Sequence, residues 1–419
     1  MKICIICSRL SYGGAERVAV AWANGFSCNG HEVMVITNLY DPITYQLDER
    51  IEVRHLVPTN NNKLKKWFGS LGNVRKHLKE FHPNVVIGVL PTCSFVGRIA
   101  SVGLHIPVIA TEHDSFERPE SASFSFMDKV LKFLVNRIYR YVTVLTSADK
   151  RVIGNRLSHI HVMPNPLALL PILSAPFKKQ VILAAGRLDD WHCKGFDVLI
   201  KSFAKLLNGS KVAAPRSMFK SNDIAFKIRE ERWKLQIAGT GSEESLNYLK
   251  KLCKENGVED SVEFLGFRKD VEILYQDASI FVLSSRYEGF GLVLIEAMSQ
   301  GCACVACDYK GRQREIMCPE GHGSKLPPSL SRAPRLRDST ASVDDLRFKV
   351  QGSNNKVELC ETGILCEPDD VEALAEAMKK MITDDEYRES VRAKAIERSK
   401  YYSIDNTMNR WEKFLQQIV

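Results

Sequence analysis

The sequence predicts an α/β protein of two doubly wound, Rossmann-like domains, the second followed by a terminal helix. Three observations carry the prediction. Short apolar runs recur, a helix-compatible stretch follows each, and the alternation halts at a proline-punctuated segment before starting again. In the first part the runs are Ile3–Cys7, Val33–Thr37, Val85–Leu90, Val108–Thr111 and Val142–Leu145. In the second they are Val181–Ala185, Leu235–Ala238, Val262–Leu265, Ile280–Leu283 and Cys302–Ala306. Runs that are apolar almost throughout suit parallel strands covered on both faces. Between them, Phe196, Leu199, Ile200, Phe203, Leu206 and Leu207 fall on one face of a helix.

The break extends from Pro164-Asn165-Pro166 through Pro171 and Pro176 to Lys179. It divides the chain into a first domain over residues 1–170 and a second over 180–400. Residues 208–230 and 318–358 carry little periodicity and read as insertions into the second domain. Residues 401–419 form a terminal amphipathic helix. Its Met408, Trp411, Phe414, Leu415 and Ile418 need a surface to pack on.

Composition narrows the function classes. The chain of 419 residues is 45% hydrophobic and 26% charged, which are ordinary globular values. No apolar run approaches the roughly 20 residues of a spanning helix. The first run is too short for a signal-peptide core, so a cytoplasmic protein is expected. Several of the twelve cysteines (Cys4, Cys7, Cys93, Cys304, Cys307) sit in apolar runs, and the set reads as reduced core residues. Cys302, Cys304 and Cys307 lack a nearby His and do not share one strand face, which speaks against a metal. The net charge of +8 is uneven. Residues 1–170 hold 20 Lys and Arg against 13 Asp and Glu, so the excess belongs to the first domain.

Ligands of open parallel sheets bind beyond the carboxyl ends of the strands, so the chemistry is sought there. Ser11 to Arg17 follows the first strand and contains Gly13, Gly14 and Glu16. Paired glycines before a helix let a backbone approach an anion, and the dinucleotide spacing G-x-G-x-x-G is absent. His113 follows another strand of the first domain, in Thr111-Glu112-His113-Asp114. In the second domain Arg187 and Lys194 lie after a strand and at a helix start, where two cations suit a diphosphate. Gly239, and Gly266-Phe267-Arg268, leave two further strands. The most specific run is Glu288-Gly289-Phe290-Gly291-Leu292-Val293-Leu294-Ile295-Glu296. Its first carboxylate stands in a glycine-rich turn and its second about two turns along the helix that follows. Carboxylates accept hydrogen bonds from sugar and ribose hydroxyls, and the amides after Gly289 suit an anion.

Taken together, these pieces resemble the family 4 glycosyltransferases of the GT-B fold. The matching residues are Gly13-Gly14-Ala15-Glu16, His113, Pro164-Asn165-Pro166, Gly186-Arg187, Lys194-Gly195-Phe196, Ile237-Ala238-Gly239, Phe264-Leu265-Gly266 and the run Ser284 to Gly301. The resemblance implies two domains facing across a cleft, a C-terminal helix that crosses back onto the first domain, and a retaining transfer from a nucleotide sugar, UDP-linked by family preference. It implies that Arg187 and Lys194 contact the diphosphate and that Glu296 holds the ribose. Glu288, with the Phe290-Gly291 backbone and Leu292, orients the donor sugar, and Gly266–Arg268 lies near the base. Gly13 and Gly14 approach the phosphates, and His113 lies beside the transferred sugar. No Asp-x-Asp stands at a strand exit, in keeping with chemistry that needs neither metal nor cofactor. The sequence departs from the family pattern at Gly311-Arg312-Gln313-Arg314-Glu315-Ile316, where relatives have a shorter turn, and in the stretch that follows.

The acceptor expected from the resemblance is a glycan or a lipid-linked oligosaccharide of cell-surface polysaccharide synthesis. Residues 63–79 carry Lys63, Lys65, Lys66, Arg75, Lys76 and Lys79 around Trp67, Phe68, Leu71, Val74 and Leu78. Residues 127–140 carry Lys129, Lys132, Arg137 and Arg140 around Leu131, Phe133, Leu134 and Ile138. Both have the composition of interfacial helices, so peripheral contact with an anionic inner leaflet is expected. No nucleic-acid motif accompanies the charge. Two other activities fit the same residues: a nucleotide-sugar 2-epimerase of similar fold, and a non-catalytic sugar-nucleotide sensor.

Overall fold

The computed structural model describes residues 1–11, 13–38, 42–56, 63–116, 132–173, 177–208, 232–318, 347–349 and 356–419; for 63–69, 347–349 and 356 it describes only the backbone. The chain forms two compact units: Met1–Ala168 with Tyr401–Val419, and Leu169–Lys400.

In the first unit seven strands run β1 (Lys2–Ile6), β2 (Glu32–Asn38), β3 (Glu52–Leu56), β4 (Val85–Val89), β5 (Val108–Thr111), β6 (Tyr141–Val144) and β7 (Ile160–Val162). They form one parallel sheet in the order β3-β2-β1-β4-β5-β6-β7. Ile3–Ile6, Val33–Ile36 and Val85–Val89 are buried throughout, as strands covered on both faces must be. Helices α1 (Gly14–Cys28), α2 (Lys63–Phe81), α3 (Leu90–Ala100) and α4 (Ser147–Ile153) lie along this half of the chain. Two edge strands depart from the expected set. In β3 the apolar pattern is hidden by Glu52, Arg54 and His55, and Arg54 is paired with Glu52 and Glu80. β7 is only three residues long.

The second unit holds β8 (Lys179–Ala185), β9 (Lys234–Ala238), β10 (Val262–Gly266), β11 (Ala278–Leu283), β12 (Ala303–Cys307), β13 (Arg347–Lys349), β14 (Lys356–Cys360) and β15 (Gly363–Cys366). The order is β10-β9-β8-β11-β12-β15-β14-β13, parallel except for the antiparallel β13-β14 and β14-β15 pairs. Its helices are α5 (Trp191–Lys194), α6 (Phe196–Asn208), α7 (Glu243–Glu255), α8 (Val271–Asp277), α9 (Leu292–Ser299), α10 (Arg312–Met317), α11 (Val371–Thr383) and α12 (Asp385–Ser399). The predicted face of α6 is buried in the core with Leu235, Ile280 and Met378. The antiparallel edge β13–β15 is a departure from the all-parallel expectation. It falls in and after the stretch read as an insertion, most of which lies outside the described residues, as does 209–230.

The two Rossmann-like sheets place a reversal of strand order beside β1 and β4 in one unit and beside β8 and β11 in the other. The crevice at such a reversal, at the carboxyl ends, is where these sheets hold ligands.

The last helix, α13 (Ile404–Leu415), is part of the first unit and packs on α1. Trp411 meets Trp22 and Phe26 edge-on, with centroids 5.0 and 6.0 Å apart. Glu412 Oε1 accepts from Asn29 Nδ2 at 3.1 Å and lies 2.7 Å from His31 Nε2. Gly25 makes room for Met408: a Cβ there would lie 2.6 Å from the Met408 side chain. Trp411 is fully buried, so Trp411→Ala is expected to destabilise the first unit by about 3–5 kcal/mol, seen as a lower urea midpoint for that unit's transition.

Candidate functional site

In the second unit, close backbone approach builds the site. Gly239, at the exit of β9, has φ of +148°, and a Cβ there would lie 1.8 Å from Gly186 O. Gly195, with φ of +65°, separates α5 from α6, and a Cβ would lie 2.0 Å from Ser284 O. Only glycine admits both the positive φ and the approach. As a result the loop after β8 lies against the loop after β11.

That approach brings Lys194 and Glu288 together. Lys194 Nζ donates to Glu288 Oε1 at 2.6 Å, and Ser285 Oγ donates to the same oxygen at 2.9 Å. Burial works against the Lys194 charge, but the attraction of Glu288 and its hydrogen bond outweigh it, so the ammonium is held charged above its ordinary range. Arg286 braces the arrangement. Its Nη1 and Nη2 donate to Asp197 Oδ1 and Oδ2 at 2.7 and 2.9 Å, its Nε donates to Asp369 Oδ1 at 2.6 Å, and Nη1 also reaches His192 O. The Arg286 amide donates to Cys193 O at 2.8 Å. Ser285 and Arg286 lie in the matched run Ser284 to Gly301 but had no assigned role in the sequence, and Asp197 was not singled out. Nothing local in the sequence ties Arg286 to an aspartate 89 residues away.

The remaining predicted residues are placed as follows. Gly291 caps α9, and Phe290 is buried. Glu296 lies buried within α9, where its Oε2 accepts from Tyr275 Oη at 3.1 Å. Arg187 is largely exposed and pairs with Asp190 at 2.5 Å, so it does not share the Lys194–Glu288 contact. Gly266 has open space around it, Phe267 is half-exposed, and Arg268 is held by Asp270 at 2.6 Å. On the rim, Asp189 Oδ1 accepts from the Ser242 amide at 2.8 Å and from the hydroxyls of Ser242 and Ser245, which hold its carboxyl below the usual range.

In the first unit Gly13 precedes α1, and the buried Glu16 folds back beneath it. A Cβ on Gly13 would lie 2.0 Å from the Glu16 carboxylate. Glu16 Oε1 accepts from Arg9 Nε at 2.8 Å, so Glu16 fixes this turn and positions a cation beside it. His113 lies against Trp22, centroids 5.5 Å apart. Thr111 Oγ1 donates to Gly88 O at 2.9 Å and lies 3.1 Å from His113 Nε2. Burial pushes the His113 pKa down to about 4, against a smaller upward pull from Asn165. The same strand exit holds Glu112, buried and paired with Lys132 at 3.2 Å.

Two family models match successive parts of the chain: glycosyltransferase family 4 over residues 12–169, and group 1 glycosyl transferases over residues 171–333. A Haemophilus influenzae glycosyltransferase is 27% identical over 408 residues, covering 97% of both chains. A Campylobacter jejuni α-1,4-N-acetylgalactosaminyltransferase named for a diphospho-undecaprenol-linked glycan is 26% identical, covering 100% of this chain and 99% of its own. Among solved structures, Thermosynechococcus elongatus sucrose-phosphate synthase superposes with a TM-score of 0.72 at 16% identity, covering 100% of this chain and 98% of its own. Anabaena HepE in complex with UDP and glucose superposes with a TM-score of 0.70 at 18% identity, over 100% of both chains. These likenesses identify the fold as GT-B.

Two measurements check this geometry. Gly195→Ala is expected to separate the loops after β8 and β11 and to lower the melting temperature by several degrees, whereas Gly257→Ala, at a positive φ with open space, lowers it less. His113 has its folded pKa below its unfolded value, so its contribution is complete above about pH 6.5 and falls as pH drops toward 4. At about 1.4 kcal/mol per unit it amounts to about 3 kcal/mol. Urea titrations at pH 7 and pH 4.5 are expected to show a smaller acid loss in His113→Gln than in the parent chain.

Proposed function

The chain belongs to the family 4, group 1 glycosyltransferases, and we propose that it is a retaining enzyme that uses a UDP-sugar. It moves a hexose or N-acetylhexosamine to a glycan or lipid-linked acceptor in cell-surface polysaccharide synthesis. The observation that carries this reading is the Lys194–Glu288 pair at the strand-order reversal of the second unit. HepE, with UDP and glucose in its structure, supports the choice of uridine. The Campylobacter relative, named for a diphospho-undecaprenol glycan, supports a polyprenyl-linked acceptor.

The chemistry follows from the charges. Breaking the bond between the sugar C1 and the phosphate oxygen leaves negative charge on the diphosphate. Lys194, already charged and partly desolvated, stabilises it, and Arg187 adds a second cation. The diphosphate takes Lys194 from Glu288, and the freed carboxylate accepts hydroxyls of the donor sugar. The amides after Gly289, with Phe290, Gly291 and Leu292, line that sugar. Glu296, held by Tyr275, accepts the ribose hydroxyls. Gly239 and Gly266 to Arg268 border the nucleoside. His113 of the first unit, neutral across the physiological range, transfers no proton. The acceptor hydroxyl attacks from the leaving group's own face, and the departing phosphate oxygen takes its proton.

The acceptor's lipid assigns a surface of the first unit to an anionic inner leaflet. Leu134 and Ile138, one helical turn apart, are 52% and 38% exposed, and Ile99 and Val102 are exposed nearby. Arg98 donates to Ile138 O at 3.0 Å and Arg75 to Val102 O at 2.7 Å, which joins these segments within a basic rim. In α2 the picture differs from the sequence expectation: Val74 and Leu78 are buried in the sheet core and cannot face a bilayer. Residues 127–131 and the side chains of 63–69 lie outside the described residues. Among the described residues no helix is long and apolar enough to cross a membrane.

A thermal-shift screen of UDP-, GDP- and ADP-linked sugars, with and without chelator, tests the donor. A rise with one UDP-sugar that persists in chelator and is lost in Lys194→Ala is expected; no rise with any UDP-sugar rejects the reading. In steady-state assays Lys194→Ala is expected to lower kcat about 10²–10³-fold, while Glu296→Gln acts mainly on KM. Leu134→Asp combined with Ile138→Asp is expected to abolish co-sedimentation with vesicles containing anionic lipid at low salt. Unchanged sedimentation overturns the membrane assignment.

A further inference from the structure

Of the twelve cysteines, ten are free, and two do not fit the expectation of a fully reduced set: Cys318 and Cys360 are joined by a disulfide. Their Cα atoms are 6.0 Å apart, within the ordinary span of such a bond. Cys318 follows α10 directly and is partly exposed; Cys360 ends β14 and is buried. We infer that this pair is a reversible thiol–disulfide site that ties α10 to β14 and exchanges with low-molecular-weight disulfides.

The surroundings distinguish this pair from the other cysteines. Cys4, Cys7, Cys93, Cys302 and Cys304 are buried in the cores, and burial pushes their thiols up and away from reactive thiolates. Cys307 and Cys366 face each other at 3.8 Å in the core and remain unbonded. Cys318 combines a bonding partner with access from solvent. The Glu358 carboxylate lies within 4.8 Å of both sulfurs, two residues before Cys360 on the same strand. A carboxylate beside a thiolate opposes its charge, and oxidation removes that charge. Two thiols and a carboxylate are also a ligand set for a divalent cation. The Arg314 guanidinium, however, already pairs with Glu358, and its positive charge opposes a cation there.

The tie has a defined mechanical position. Arg314 also donates through its amide and Nε to Asp308 Oδ1 and Oδ2, both at 3.1 Å. Asp308 is held to β15 through Cys366 O at 2.8 Å, and the next residue, Tyr309, packs against Tyr287 with centroids 6.2 Å apart. The bond therefore braces the loop after β12, beside the turn that carries Glu288.

The exchange balances as follows. The Cys318 thiolate attacks one sulfur of a disulfide such as oxidised glutathione, and one thiol leaves. The Cys360 thiolate then attacks the mixed disulfide at Cys318 Sγ and releases the second thiol. Two electrons and two protons pass from the protein pair to the small molecule, and reduction reverses both steps.

The test uses the full chain in glutathione buffers of graded oxidised-to-reduced ratio, acid-quenched, alkylated and peptide-mapped, with zinc content and melting temperature measured in parallel. The expected result is a 318–360 linked peptide under oxidising conditions and two alkylated cysteines under reducing ones. The melting temperature falls by several degrees on reduction in the parent chain, and does not respond in Cys318→Ser or Cys360→Ala. The map of the parent chain decides the matter even where a variant fails to fold. Two free thiols at every ratio overturn the inference. So does one equivalent of zinc that is lost in Cys318→Ser, which makes the cluster a metal site. None of these readouts depends on transferase activity, so failure of the donor assignment leaves this test intact.

Discussion

Two backbone approaches hold the second unit's site together: Gly195 against Ser284 O and Gly239 against Gly186 O. At each, a single methyl group would overlap a carbonyl oxygen. Without the first, the loop after β8 and the turn after β11 would be separated by side chains, and Lys194 would not reach Glu288. Arg286 depends on the same closeness, because it bridges His192 O and Asp197 in one direction and Asp369 in the other. Each partner of this guanidinium comes from a different element, so the loop geometry is specified several times over. Placed at the strand-order reversal, this charged and rigid cluster faces the crevice that the sheet topology leaves open.

The first unit achieves rigidity by different means. Its strand exits are stabilised by buried polar groups, each with named partners: Glu16 with Arg9, Glu112 with Lys132 and Asn136, Asp149 with Thr146. A buried charge is tolerated only when it is paired, and these pairs fix the turns from beneath. The terminal helix α13 adds an aromatic layer over α1. Trp411, Trp22 and Phe26 form edge-on contacts, and Trp22 also abuts His113. The last elements of the chain thus support a ring at a strand exit of its first domain, through packing within one unit.

Much of this was legible in the sequence because burial on both faces writes itself as unbroken apolar runs. The central strands β1, β2, β4, β8, β11 and β12 are of that kind. The edge strand β3 was not legible, since its Glu52, Arg54 and His55 face partners and solvent and erase the pattern. The antiparallel β13–β15 edge was obscured because a stretch rich in proline, serine and arginine precedes it. Among site residues, sequence could name Lys194 and Glu288 by their company, but not their pairing across 94 residues. Arg187 and Lys194 looked equivalent on paper; in three dimensions one pairs with Asp190 on the surface and the other is drawn inside. The α2 stripe shows the opposite failure. A basic amphipathic helix has the same periodicity whether its apolar face meets lipid or its own sheet, and the buried Val74 and Leu78 chose the sheet.

The Lys194–Glu288 pairing also has a chemical consequence. A lysine taken from water tends to lose its proton, because burial disfavours the charged form. At Lys194 this tendency is present and is outweighed by Glu288. The carboxylate therefore keeps the ammonium charged before any anion arrives. On the proposed reading, an incoming diphosphate does not have to protonate the lysine, but exchanges one anionic partner for another, and the displaced Glu288 keeps the Ser285 donor while sugar hydroxyls supply the others. An exchange of this kind changes little in the total count of charged hydrogen bonds in the ground state. The interaction can then strengthen where it affects the rate, as charge accumulates on the leaving phosphate.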